Sequence, residues 1–131
     1  MATIQQFEDL DAWKQARLLV SFVYQLSRQS SFATDRSLQT QIRRAAVSIM
    51  ANIAEGFERV STRERLNFWN IARASCGEVR CFSYVCEDIQ LLRPSEADRL
   101  RKKCARVGML ISGLIRSLRA RAEKRTSDPT I

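Results

Sequence analysis

Any chemistry in this chain has to be done without histidine. None of the 131 residues is His, so a Ser–His–Asp or Cys–His arrangement has no base. No GxxxxGK[ST] stretch is present to cradle a phosphate. The cysteines invite a metal reading that helical geometry opposes. Cys76, Cys81 and Cys86 stand five residues apart, which turns each about 140° from the last, so one helix cannot aim them at one ion. Cys76, Cys86 and Cys104 read instead as small core residues. Acid pairs such as Glu87–Asp88 and Glu96–Asp98 suit solvated helix charges or caps better than a general acid and base. The residues therefore predict no catalytic site, no metal and no cofactor, and a non-enzyme by elimination.

What remains is cationic. The formal net charge is +8, and it is unevenly placed. Residues 1–60 carry 7 basic and 6 acidic side chains, whereas residues 61–131 carry 15 and 8. Between Arg99 and Arg125 stand 10 basic residues and one acid, Glu123. Such a stretch is an electrostatic footprint for phosphate or for an acidic protein surface. The candidate nucleic-acid-binding residues are Arg101, Lys102, Lys103, Arg106, Arg116, Arg119 and Arg121, with Arg43 as an outlying eighth. The competing reading is a solvated face that keeps the protein soluble. No aromatic stacking platform accompanies the cations, so backbone contacts with little base readout are expected.

A second polar set lies on one helix. Gln41, Arg44, Ser48, Asn52, Glu55 and Arg59 recur at steps of three and four, a polar stripe beside the apolar seam Leu38, Ile42, Ala46, Ile49, Ile53 and Phe57. Arg44 suits a structural pairing with Glu55, Glu58 or a neighbouring subunit. Asn52 and Glu55 suit packing at a helix or subunit interface better than catalysis. A small hydrolase built on this stripe ranks last among the functional readings.

These residues need helices to hold them, and the sequence supplies four. Periodic apolar positions predict helices over about 9–30, 36–58, 62–92 and 96–123, forming one domain over 1–123, with 124–131 as a flexible basic tail. Asp9 or Asp11, Asp35, Ser61 with Glu64, and Ser95 with Asp98 are the expected helix starts. Only 4 Gly and 2 Pro are present, too few to punctuate many short strands. Short links then favour an all-α, antiparallel up-down-up-down four-helix bundle. Hydrophobic content of 45% with 27% charged residues suits a soluble domain of this size. With no basic start before an apolar core, and no apolar run of membrane-spanning length, a cytoplasmic protein without membrane contact is expected.

Several motifs occur together in one order. Gln41 to Ile49, Ala51-Asn-Ile-Ala-Glu-Gly56, Arg59, Ser61, Ile71 to Ser75 and Glu78, preceded by Phe7, Leu10 and Trp13-Lys14, resemble the bacterial four-helix bundle proteins encoded in large-subunit rRNA intervening sequences. The resemblance runs from about Phe7 to Leu118. It implies a homopentameric barrel and a non-catalytic role. It also implies kinship with the accessory variability proteins of diversity-generating retroelements, which bind a reverse transcriptase and nucleic acid. The expected function is a homopentameric accessory protein that binds RNA or DNA, with a reverse transcriptase as a further partner. The alternatives are a protein-interaction scaffold, or an intervening-sequence protein of unknown role. Ala33, Met50 and Ala74 depart from the family pattern, the first two replacing common prolines and the third a common glycine.

Overall fold

The computed structural model describes residues 3–127. Four helices carry the chain: α1 (Asp11–Ser27), α2 (Arg36–Glu58), α3 (Thr62–Asp88) and α4 (Pro94–Ser127). Short 3₁₀ turns at Phe7–Asp9 and Ser30–Thr34 precede α1 and α2. Each helix packs on its neighbours in sequence, and α1 closes the ring against α4. Cross-helix contacts run in opposite directions, as antiparallel neighbours require. Ser48 meets Ser75 while Ile53 meets Trp69, and Cys76 meets Cys104 while Ser83 meets Arg101.

Apolar positions from all four helices form the core. Leu19, Val23, Ile42, Ile49, Ile53, Trp69, Val79, Leu100, Val107 and Ile111 are all fully buried. Ile115 joins them, whereas Ile89 is 49% exposed and Ser83 is buried in its region of α3. Ile89 lies just past the end of α3.

That ending is the main difference from the predicted elements. The helix expected to run to Leu92 stops at Asp88. Gln90 turns to φ 66°, the Leu91 amide donates back to the Cys86 carbonyl at 2.8 Å, and the Gln90 amide donates to Glu87 at 3.1 Å. These are the paired bonds of a Schellman stop, here built on glutamine where glycine is usual. Leu91 and Leu92 then turn into the core.

Caps decide the other boundaries. Asp35 Oδ1 accepts from the Leu38 amide at 2.9 Å, and Ser61 Oγ accepts from the Glu64 amide at 3.1 Å, so α2 and α3 start as expected. Neither Asp9 nor Asp11 caps α1, which begins after Leu10 with no side-chain cap. The expected Ser95–Asp98 cap is replaced as well. Pro94 occupies the first turn of α4, and Glu96 Oε1 accepts from the Arg93 amide at 2.9 Å. At the far end of α2, Arg65 donates to the Arg59 and Phe57 carbonyls, which satisfies acceptors the helix leaves open. The first helix is shorter than 9–30, and α4 is longer than 96–123 because residues 124–127 continue it; the rest of the expected tail lies outside the described residues.

Gly56 shows why α2 and α3 approach so closely. A Cβ there would fall onto the Trp69 indole, against Nε1 and Cδ1. The indole uses that space to donate to the Ile53 carbonyl at 3.1 Å, which gives a buried N–H its partner.

Candidate functional site

The cations expected on one basic face divide into those the fold uses and those it leaves to solvent. Arg101 is used. Its guanidinium donates to Glu87 Oε1 at 2.8 Å and to Ser83 Oγ at 3.3 Å, and lies 4.2 Å from the Tyr84 ring centroid. With 19% of its side chain exposed, Arg101 clamps α4 to α3, and a desolvated, paired guanidinium has little left to offer a phosphate. Arg43 is used in the same way. Its Nε donates to buried Ser27 Oγ at 2.7 Å and its guanidinium covers the Tyr24 ring, tying α2 to α1. Both residues move from the binding set to the scaffold.

Lys103 leans back over Phe22, 5.0 Å from the ring centroid. Lys102 pairs with Asp98 at 3.0 Å, and both side chains are more than half exposed, so that pair is weak and easily exchanged. Arg121 makes only a long 3.4 Å bond to the Ser117 carbonyl. Arg106, Arg116 and Arg119 are exposed and have no hydrogen bond or ion pair among the described residues. The fold therefore draws Arg101 and Lys103 in toward α3 and α1 and leaves Arg106, Arg116 and Arg119 exposed.

Two further arginines join the outward group from α3. Arg73 and Arg80 stand seven residues apart, about 10 Å along the helix, both exposed. Arg73 donates to its neighbour Asn70 at 3.0 Å, and neither pairs with a carboxylate among the described residues. With Arg116 of α4 they line an open groove of about 600 Å³ between α3 and α4. Every charged residue lining it is basic. The sequence carried a signal for this: no acid stands three or four places from Arg73 or Arg80, so no helical ion pair can neutralise them. A search guided by the density of cations along α4 passes over it.

The polar stripe of α2 is partly structural. Ser48 and Ser75 share a 2.9 Å hydrogen bond across α2 and α3, and Asn52 Nδ2 donates to the Ser48 carbonyl at 2.8 Å and to Ser48 Oγ at 3.0 Å. Glu55 pairs with Arg59 at 2.7 Å on the surface, and Arg59 also covers Phe68. Gln41 donates to Ser37 Oγ at 3.1 Å. Among the described residues Arg44 pairs with neither Glu55 nor Glu58, two of its three expected partners, and it is exposed. It lines a shallow groove with Ala45, Ser48, Glu78 and Phe82. Glu78 likewise has no ion pair among the described residues.

The thiols are held in the fold. Burial pushes the Cys86 thiol up to about 11. Cys104, hydrogen-bonded by the neighbouring Cys76 thiol and buried, is held well above the ordinary thiol range. Cys81 alone is exposed. Among the described residues, no group of three or more His, Cys, Asp or Glu is placed to hold a metal ion, and no helix is long and apolar enough to cross a membrane.

Comparison with known proteins extends this picture. No curated protein matches the chain. Among solved structures, a protein of unknown function from the S23 ribosomal protein family of Bacteroides thetaiotaomicron VPI-5482 superposes with a TM-score of 0.72 at 17% identity. The match covers 79% of this chain and 97% of that one. At that identity the likeness shows the four-helix fold. The family described as 23S rRNA-intervening sequence protein matches residues 8–113, a span that holds all of α1, α2 and α3 and more than half of α4. The chain belongs to the 23S rRNA-intervening sequence protein family.

Proposed function

We propose that this protein is a non-catalytic, homo-oligomeric binder of nucleic-acid backbone, RNA or DNA, through outward arginines of α3 and α4. The observation that carries the reading is the sorting of cations: Arg73, Arg80, Arg106, Arg116 and Arg119 are exposed and have no carboxylate partner among the described residues, while Arg101 and Arg43 are spent on the fold. Unpaired guanidiniums bind phosphate without first breaking an ion pair, and phosphate contacts release condensed counterions. The non-catalytic reading rests on the stripe, where Asn52 and Glu55 are already committed to Ser48 and Arg59.

Oligomerisation would repeat the cationic surface and add weak contacts by avidity. The α2–α3 face suits a second copy. Among the described residues Arg44 and Glu78 have no ion pair there, and Val47 and Ile71 are 41% and 40% exposed. The pentamer number comes from the family resemblance.

A salt titration tests the reading. Labelled RNA and DNA should bind at low salt, with log K falling linearly against log salt. Five contacts on a single strand give a slope of about −3.5, and Arg119→Gln should reduce it by about 0.7. No binding at low salt, or binding indifferent to salt, refutes it.

A second reading, a scaffold for a protein partner such as a retroelement reverse transcriptase, is favoured by Tyr84, Val85 and Ile89, which are 53%, 41% and 49% exposed at one end of α3. Association that survives nuclease treatment and is lost on Val85→Asp would favour the scaffold.

A further inference from the structure

The α3–α4 groove has a floor as well as cations. Gly77, Gly108, Ala105 and Ser112 are all among the residues that line it. The floor is therefore mostly backbone and methyl-sized groups, low enough for a flat ring to approach. The helices are close beneath it: a Cβ on Gly108 would lie 3.8 Å from Cys76 Sγ, and the Cys76 thiol donates to the Cys104 carbonyl at 3.0 Å. Met109 stands at the lip, 73% exposed, a flexible and polarisable side chain able to lie against a base. Arg73 and Arg80 edge the α3 side and Arg116 the α4 side.

Width decides which nucleic acid can use this shape. Packed helices stand about 8–10 Å apart, so the furrow between two of them is narrower than a nucleic-acid duplex. A duplex would rest on the rims, with its bases stacked out of reach of the floor. An unpaired strand can enter, placing phosphates against the rim guanidiniums and turning bases onto the small residues and Met109. We infer that the α3–α4 groove is a single-strand site, with Arg73, Arg80 and Arg116 on successive parts of the sugar-phosphate backbone and Gly77, Gly108 and Met109 against unpaired bases. This inference rests on the nucleic-acid reading above.

The groove can be filled without touching its charge. A Cβ at Gly77 meets nothing within 4 Å, so Gly77→Leu should fold, as a thermal melt by circular dichroism can verify, while it places a bulky side chain among the groove's lining residues. The native protein, Gly77→Leu and the double variant Arg106→Gln/Arg119→Gln are titrated with a short uridine oligomer and with a short RNA duplex at matched salt. The native protein should prefer the single strand by about tenfold or more, the order expected for contacts to unpaired bases. Gly77→Leu should remove that preference by weakening single-strand binding alone. The arginine double variant, altered outside the floor, should weaken both ligands together. Equal affinity for duplex and single strand, or a preference that survives Gly77→Leu, overturns the groove assignment and leaves backbone binding intact. Failure of the native protein to bind either ligand at low salt overturns both.

Discussion

At Gly56 a Cβ would collide with an indole, whereas at Gly77 it would meet open space. The two glycines sit on adjacent helices, yet the same substitution should act on them with opposite sign. Gly56→Ala has to push Trp69 aside and strain its bond to Ile53, which should cost about 1–3 kcal/mol in the manner of an overpacked core. Gly77→Ala gains helix propensity with no clash and should add about 0.5–1 kcal/mol. Urea denaturation of the two variants against the native protein checks both signs. From the sequence, Gly56 looked like a glycine near a helix end; its real constraint comes from a residue 13 positions away, which no local pattern reveals. The same limit explains Arg101 and Arg43. Each reads as a free cation by type and helical position, and each is spent on partners from another helix.

Helix boundaries were legible where a short side chain caps its own turn and obscure where the cap was made some other way. Asp35 and Ser61 mark their starts plainly. The end of α3 could not be read because the left-handed position is filled by Gln90, which carries none of glycine's signal. Such a residue pays a steric penalty in that conformation, so Gln90→Gly should stabilise the protein by about 1 kcal/mol, measured by the denaturation midpoint at unchanged slope. The start of α4 was misassigned by one step of the same logic: Ser95 has the right side chain, but Glu96 holds the Arg93 amide. Burial would raise the Glu96 carboxyl, yet the Arg93 amide, the Arg93 side chain and Gln29 outweigh it, and the net effect is a lowered value. The charged form is thus the stabilising one. Its contribution is complete above the ordinary glutamate value of about 4.3 and is lost as pH falls through the lower folded value. Melting temperature followed downward from neutral pH should show that loss, and Glu96→Ala should lie about 1 kcal/mol lower at neutral pH and converge with the native protein in acid.

Over the whole molecule, the four-helix arrangement followed from apolar spacing and short links, because each seam reports its own burial. The charge map did not follow so directly. Net charge and clustering pointed to α4, but the bundle spends cations where α4 lies against α1 and α3 and spares them further along, so the candidate site straddles α3 and α4. That unevenness has a cause in length. At 34 residues α4 is twice as long as the 17-residue α1, and Leu118 is its last buried core residue among those described. From Arg119 to Arg125 every residue but the half-buried Ala122 is exposed, so little packing holds this end of the helix, and an isolated stretch of two turns is marginal in water. Native-state hydrogen exchange should therefore show a steep gradient, with amides around Ile111 and Ile115 opening only with the whole domain and those after Leu118 exchanging near the rate of an unstructured peptide. Arg119 and Arg121 would then ride on a segment that frays and re-forms, sweeping a wider capture radius than rigid cations can. Such a segment governs how fast a polyanion is caught more than how long it is kept.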